Sequence, residues 1–121
     1  MLFRSGGHFG AIGSSGAAYA ARWDGTAWNA LGNGPGDWVN DIAVDGSVVY
    51  VTGNFTDADG IAEADYIARF DGTSWSAMGS NGAGDGALGD YGRALALAPG
   101  GNVIVGGYFL NGAAKIGRAH F

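Results

Sequence analysis

Cysteine is absent from this 121-residue chain, proline occurs twice, and six basic residues stand against eleven acidic ones. Without cysteine there is no disulfide bond, no thiolate nucleophile and no cysteine metal site. The net charge of −5, with no cluster of lysine or arginine, disfavours electrostatic binding to nucleic acid or to an anionic membrane. We therefore expect neither of these as a partner.

Long hydrophobic runs are missing as well. No apolar stretch approaches the roughly 20 residues of a transmembrane helix, and glycine and serine interrupt the N-terminal segment, so neither a membrane span nor a signal peptide is predicted. Apolar residues make up 47% of the chain and charged residues 14%, which is the composition of a folded domain. The 25 glycines argue against a helical protein, since each interior glycine costs a helix about 1 kcal/mol relative to alanine.

What the sequence does contain is an internal repeat. The segment ARWDGTAWNALG at 21–32 returns as ARFDGTSWSAMG at 68–79, with eight of twelve positions identical. A second motif, GGHF at 6–9, returns as TGNF at 52–55 and as GGYF at 106–109. A third, DWVNDIAV at 37–44, corresponds to DYGRALAL at 90–97. The motifs recur in the same order, so the chain is built from repeated units.

Each complete unit is predicted to contain four short strands in an antiparallel meander, which makes the chain all-β. Asp45-Gly46 is a strong hairpin signal after the first strand. The second strand is apolar at successive positions, so it must be covered on both faces. In the central unit we predict strands at 39–44, 48–55, 66–70 and 74–78. The N-terminal segment supplies the second to fourth strands at 2–9, 18–23 and 27–31, and the C-terminal segment the first to third at 93–97, 103–109 and 115–121.

A period of 46 to 54 residues carrying four strands is typical of a β-propeller blade. The double glycine with an aromatic, at 6–9 and 106–109, and the motif Arg-aromatic-Asp-Gly-x-x-Trp, at 22–28 and 69–75, resemble the kelch-like propeller repeats of bacterial extracellular proteins and fungal cortical polarity markers. The resemblance implies four-stranded antiparallel blades and an extracellular or cell-surface location. The length predicts one domain, 1–121, and the repeat divides it into a partial blade at 1–34, a full blade at 35–79 and a partial blade at 90–121.

The repeated aromatic and charged residues are the candidate binding groups. Trp28 and Trp75 occupy equivalent positions, as do Trp23 and Phe70; packing between blades is the favoured role, and stacking on sugar rings is the alternative. Loop-borne acid–aromatic pairs at the start of the first strand are better ligand candidates. The repeated arginines are expected to pair with acids of a neighbouring blade, or to grip a carboxylate or a sugar hydroxyl. The candidate ligand-binding residues are Asp37, Trp38, Asp90, Tyr91, Arg22 and Arg69.

Other motifs favour structural interpretations. The acidic stretch Asp57, Asp59, Glu63 and Asp65 begins like a calcium loop but has Ala68 where an EF-hand requires glutamate, so a solvated loop is expected. GDGALG at 84–89 matches a dinucleotide fingerprint only formally, since a strand follows it. His8 and His120 stand far apart, and Ser14-Ser15 lacks a nucleophile pattern. We predict no metal, no cofactor and no catalytic residue.

A propeller uses typically 4 to 8 blades, so the three blade positions found here predict an incomplete ring. We expect copies of the chain to share one ring, most simply as a dimer, and a fragment of a longer propeller is the competing explanation. The favoured function is a non-enzymatic binding module with a protein or glycan partner. A lectin-like module with one sugar site per repeat is the first alternative. A hydrolase using Asp37 and Asp90 is the second.

Overall fold

A computed structural model describes residues 3–7, 19–32, 34–79, 86, 88–99, 102–108 and 117–120, with the side chains of all of these except 3–6 and 117–120. The described part of the chain is all-β, as predicted; it contains no α-helix, and a 3₁₀ turn covers Ala58–Gly60. The strands are β1 Phe3–Gly6, β2 Ala20–Trp23, β3 Trp28–Ala30, β4 Val39–Asp45, β5 Val48–Gly53, β6 Ile67–Phe70, β7 Trp75–Ala77, β8 Gly92–Ala98, β9 Asn102–Gly107 and β10 Gly117–His120.

The strands form three antiparallel sheets in which neighbours along the chain are neighbours in space. The N-terminal sheet has the order β1-β2-β3, the central sheet β4-β5-β6-β7 and the C-terminal sheet β10-β9-β8, and none of them closes on itself. The predicted meander and its strand positions are therefore confirmed. Parts of the predicted strands at 2–9, 18–23, 103–109 and 115–121 lie outside the described residues.

Short turns keep this order local. Asp45 pairs with Val48 in the register of β4 and β5, so the hairpin turn consists of Gly46 and Ser47. Only the first of these has a positive φ, of 61°, which is the glycine position of a type II′ turn. The Asp45-Gly46 signal thus identified the hairpin, but the turn itself begins one residue later than the signal implied.

The core lies between the sheets. One cluster joins Ala20 and Leu31 of the N-terminal segment to Val49, Val51 and other residues of the central sheet. A second cluster lies between the central and C-terminal sheets and contains Ile67, Leu88 and Val105. The central sheet is therefore covered on both faces, as its consecutive apolar residues predicted.

Hydrogen bonds also cross between the sheets. On one side of the central sheet, the indole Nε1 of Trp75 donates to the carbonyl oxygen of Leu31 at 2.6 Å. On the other side, the carboxylate of Asp41 accepts from the backbone N–H of Leu95 at 2.7 Å. Because side-chain groups of the central sheet bind backbone groups of both neighbours, the relative position of the three sheets is fixed by directional contacts as well as by apolar packing.

Candidate functional site

The two predicted acid–aromatic pairs have the same local geometry. Asp37 accepts the backbone N–H of Trp38 through Oδ1 at 2.7 Å, and Asp90 accepts that of Tyr91 in the same way at 2.8 Å. Each pair stands where the first strand of its sheet begins. Each carboxylate therefore makes a local contact, with the residue that follows it, in the loop that leads into β4 or β8.

Asn40 brings these two loops together. Its side-chain Nδ2 donates to the carbonyl oxygen of Gly92 at 2.8 Å and to Oδ1 of Asn54 at 2.9 Å. This contact joins the start of β4, which follows the Asp37–Trp38 loop, to the start of β8, which follows the Asp90–Tyr91 loop. We call this end of the two sheets the loop edge. Trp38 is 46% exposed at this edge, so the predicted aromatic is available at the surface.

An aromatic and cationic cluster at the same edge was not predicted from the sequence. The rings of Tyr91 and Tyr108 lie 4.9 Å apart at an interplanar angle of 35°. The guanidinium of Arg93 lies 5.3 Å from the centre of the Tyr108 ring, a cation–π geometry. The sequence does carry a sign of this cluster, which is a difference between the repeats. Arg93 and Tyr108 stand at the positions that Asn40 and Asn54 occupy in the central unit.

The two predicted arginines lie away from this edge. Arg22 pairs in register with Asn29 in the N-terminal sheet, and Arg69 pairs with Tyr50 and Ser76 in the central sheet. Among the described residues neither arginine forms an ion pair with an acid of a neighbouring sheet, so the expected pairing stays a prediction. Arg22 instead lines a pocket between the N-terminal and central sheets, whereas Arg69 is exposed.

The repeated aromatics form matching pairs in different surroundings. The rings of Phe70 and Trp75 lie 5.2 Å apart at 53°, and those of Trp23 and Trp28 lie 5.5 Å apart at 56°. Phe70 and Trp75 are buried under the N-terminal sheet, whereas Trp23 and Trp28 are half-buried. The packing role that the sequence favoured is therefore confirmed for the central pair.

The acidic stretch is more structured than predicted. Asp65 is buried; its Oδ1 accepts the backbone N–H of Asp57 at 2.8 Å and its Oδ2 accepts that of Gly86 at 3.3 Å. This carboxylate braces the loop between β5 and β6 and ties it to the segment at 84–89, so the expectation of a merely solvated loop is wrong for Asp65. No group of histidines and acids suited to a metal ion occurs among the residues that the structure describes.

Two further aspartates hold the turns after β2 and β6. Asp24 accepts the backbone N–H groups of Ala27 and Thr26 at 2.8 Å each and the side-chain amide of Asn29 at 3.0 Å. These bonds, in that order, lower the pKa of Asp24 to about 2. In the equivalent turn, the backbone N–H groups of Ser74 and Thr73 lower the pKa of Asp71. Both acids stabilise turns as carboxylates.

Most of the remaining sequence candidates fall outside the residues whose side chains the structure describes. His8, Ser14 and Ser15 lie outside the described residues, and His120 belongs to β10 without a described side chain. In the segment at 84–89, Leu88 is buried in the second core cluster.

No helix within the described ranges is long and apolar enough to cross a membrane.

Comparison with known proteins adds no relative. No protein-family model matches the chain, and no curated protein or solved structure matches it significantly.

Proposed function

We propose that the chain is a non-enzymatic binding module whose three sheets are consecutive kelch-like propeller blades, and which associates with further copies of itself by stacking sheet on sheet. The observation that carries the proposal is the contrast between Trp75 and its repeat equivalent Trp28. Trp75 is 4% exposed and donates its indole N–H to the adjoining sheet. Trp28 is half-buried, and its indole N–H has no acceptor among the described residues.

Trp23 and Trp28 of the N-terminal sheet are the repeat equivalents of Phe70 and Trp75 of the central sheet. Phe70 and Trp75 lie on the face that the N-terminal sheet covers. The equivalent face of the N-terminal sheet, which carries Trp23 and Trp28, is its outer face. Inside the chain, the Trp75 ring packs against Gly32, where an added Cβ would lie 3.2 Å from the ring. A bulky aromatic thus requires a small residue on the sheet that covers it. Trp23 and Trp28 likewise require small residues on any sheet that covers them.

The outer face of the C-terminal sheet offers such residues. Ala94 and Ala96 are exposed there, and they pair in register with Gly106 and with the half-buried Ile104. The repeat equivalents of Ala94 and Gly106 are Asp41 and Thr52, which contact the C-terminal sheet from the central sheet. A second copy, placed head to tail, would therefore cover Trp23 and Trp28 and continue the internal stack. Two copies supply six sheets from three each, within the range of 4 to 8 blades of a propeller.

The same contacts support a non-enzymatic role. Asp37, Asp90 and Asp65 accept backbone N–H groups, and Asp24 and Asp71 hold their turns as carboxylates. The lectin-like alternative needs one accessible tryptophan per repeat, and the burial of Trp75 argues against it. The resemblance to kelch-like repeats supports a location outside the cell or at its surface, and this location is part of the proposal.

Sedimentation velocity across the micromolar range tests the association. We expect the wild-type chain to sediment as a dimer or larger assembly, and both Trp28→Arg and Ala96→Arg to sediment as monomers. Trp38→Arg, which changes an exposed tryptophan at the loop edge, is the matched control and should behave like wild type.

Mixing the two arginine variants tests the head-to-tail geometry. Each variant keeps one intact face, so an equimolar mixture should regain a dimer with one joint. If the tryptophan faces of two copies met each other instead, mixing would restore nothing. A wild-type chain that stays monomeric throughout, or a Trp38→Arg chain that dissociates like Trp28→Arg, would contradict the proposal.

A further inference from the structure

A pocket lies between the N-terminal and central sheets, at the end of the strands that carries the hairpin turns. Its volume is about 350 Å³, and its walls include Leu31, Val49 and Phe70 with the turn residues Ser47 and Gly72. Ligand pockets are typically about 300 to 1,000 Å³, mostly apolar and furnished with a few polar groups that orient the ligand. The space is therefore large enough for a small organic molecule.

Arg22 is the charged residue of this pocket. Along β2 the side chains alternate between faces, and Arg22 shares with Ala20 the face that packs on the central sheet. Arg22 is half-buried, and no described residue forms a hydrogen bond or ion pair with its guanidinium. A guanidinium carries five N–H donors, so its donors remain available to a ligand.

The nearest acid along the chain does not supply the missing partner. Asp24 stands two residues after Arg22, but both of its carboxylate oxygens bind groups of its own turn. The attraction of Arg22 contributes least to the low pKa of Asp24, behind the hydrogen bonds of the turn. The turn thus satisfies its aspartate internally and leaves the arginine to the pocket.

We propose that this pocket binds a small monocarboxylate with an apolar body, held by Arg22 through its carboxylate and by Leu31, Val49 and Phe70 through its apolar part. The planar fork of arginine matches a carboxylate through two parallel hydrogen bonds. A single cation among apolar walls suits one negative charge, whereas a phosphate dianion would be left with an uncompensated charge in a partly desolvated site. Ser47 also lines the pocket and is a further polar residue there.

This site is independent of self-association and of the loop edge. All of its walls belong to one chain, so a monomeric variant such as Trp28→Arg should retain it. The repeat provides a matched control in Arg69, which occupies the equivalent strand position but is exposed and does not line the pocket.

Phenylacetate is a suitable probe, and its binding to the whole chain can be followed by ligand-detected nuclear magnetic resonance and by calorimetry. We expect Arg22→Gln to weaken binding by about tenfold or more, as for loss of a charge-assisted pair. Arg22→Lys, which keeps the charge and the alkyl stem but loses the fork, should bind with intermediate affinity. Arg69→Gln should bind like wild type, and phenylacetamide, which lacks the charge, should bind poorly.

Three results would overturn the proposal. The first is that phenylacetate binds to none of the chains at millimolar concentration. The second is that Arg22→Gln and Arg69→Gln weaken binding equally, which would indicate a general effect of net charge. The third is that inorganic phosphate competes as strongly as the carboxylate, which would make the site a general anion site. Thermal melting of each variant without ligand shows whether a loss of binding reflects a loss of fold.

Discussion

At the residue scale, the glycine in the second position of the repeated motifs TGNF and GGYF allows two backbone segments to approach closely. A Cβ at Gly53 would collide with the carbonyl oxygen of Trp38, and one at Gly107 would lie 2.5 Å from that of Tyr91. In both places the next residue, Asn54 or Tyr108, donates its N–H to the same carbonyl at 2.9 or 3.0 Å. The glycine is thus required by close approach of the chain rather than by an unusual φ.

Substitution of neighbouring glycines in β9 tests this explanation. Gly107→Ala should destabilise the chain by about 1–3 kcal/mol, because the methyl group forces the loop before β8 to move. Gly106→Ala meets no atom within 4 Å, so the free energy of unfolding should change by no more than about 0.5 kcal/mol. Urea unfolding measures both values. Equal effects of the two substitutions would show that chain flexibility, and not close approach, explains the motif.

Asp24 makes a prediction about pH. Its pKa in the folded chain is about 2, below the ordinary value of 3.8, so the ionised carboxylate favours the folded state at higher pH and this contribution is lost as the pH falls from about 4 towards 2. Asp24→Ala should therefore melt at a lower temperature than wild type at neutral pH, and the difference should shrink over that window. A difference in melting temperature that stays constant down to pH 2 would assign the effect to the turn backbone instead.

At the element scale, the central sheet is held from both sides by different means. Towards the N-terminal sheet it presents large side chains such as Trp75, and towards the C-terminal sheet it presents polar groups such as Asp41 and Thr52. Gly92 leaves room for this second interface, because a Cβ there would collide with the Thr52 hydroxyl. The two interfaces are therefore equivalent in topology but not in chemistry.

The bond from Asp41 to the C-terminal sheet can be tested against an acid of the same strand. Asp41→Ala should lower the free energy of unfolding by about 1–2 kcal/mol, because the N–H of Leu95 loses a charged acceptor in a half-buried position. Asp45→Ala, at the exposed end of β4, removes the same charge and should change stability by no more than about 0.5 kcal/mol. If the two variants unfolded at the same denaturant concentration, net charge and not the bond would be responsible.

At the scale of the whole molecule, the stack of sheets leaves one aromatic pair covered and its counterpart half-covered. Self-association should therefore protect tryptophan from an aqueous quencher. In a Trp38→Phe chain, which lacks the most exposed tryptophan, the acrylamide quenching constant should fall as protein concentration rises through the micromolar range, because Trp23 and Trp28 become buried. Association without this fall would mean that the copies meet through another face.

The sequence by itself determined the strands and their order. Apolar periodicity and turn residues act over a few positions, so the ten strands, their meander and the burial of the central sheet on both faces followed from the repeat. The acid–aromatic pairs at the starts of β4 and β8 were located in the same way, because each depends on adjacent residues.

Only the tertiary structure decided what the repeated residues contact. Trp28 and Trp75 share one motif, yet a neighbouring sheet buries the second and leaves the first half-buried. Arg22 and Arg69 likewise share a motif, yet Arg22 lines the pocket between two sheets whereas Arg69 is exposed, and Asp65 is buried although it belongs to an acidic stretch. The physical reason is that a short motif specifies local backbone geometry, whereas burial and pairing depend on groups that packing brings from distant parts of the chain.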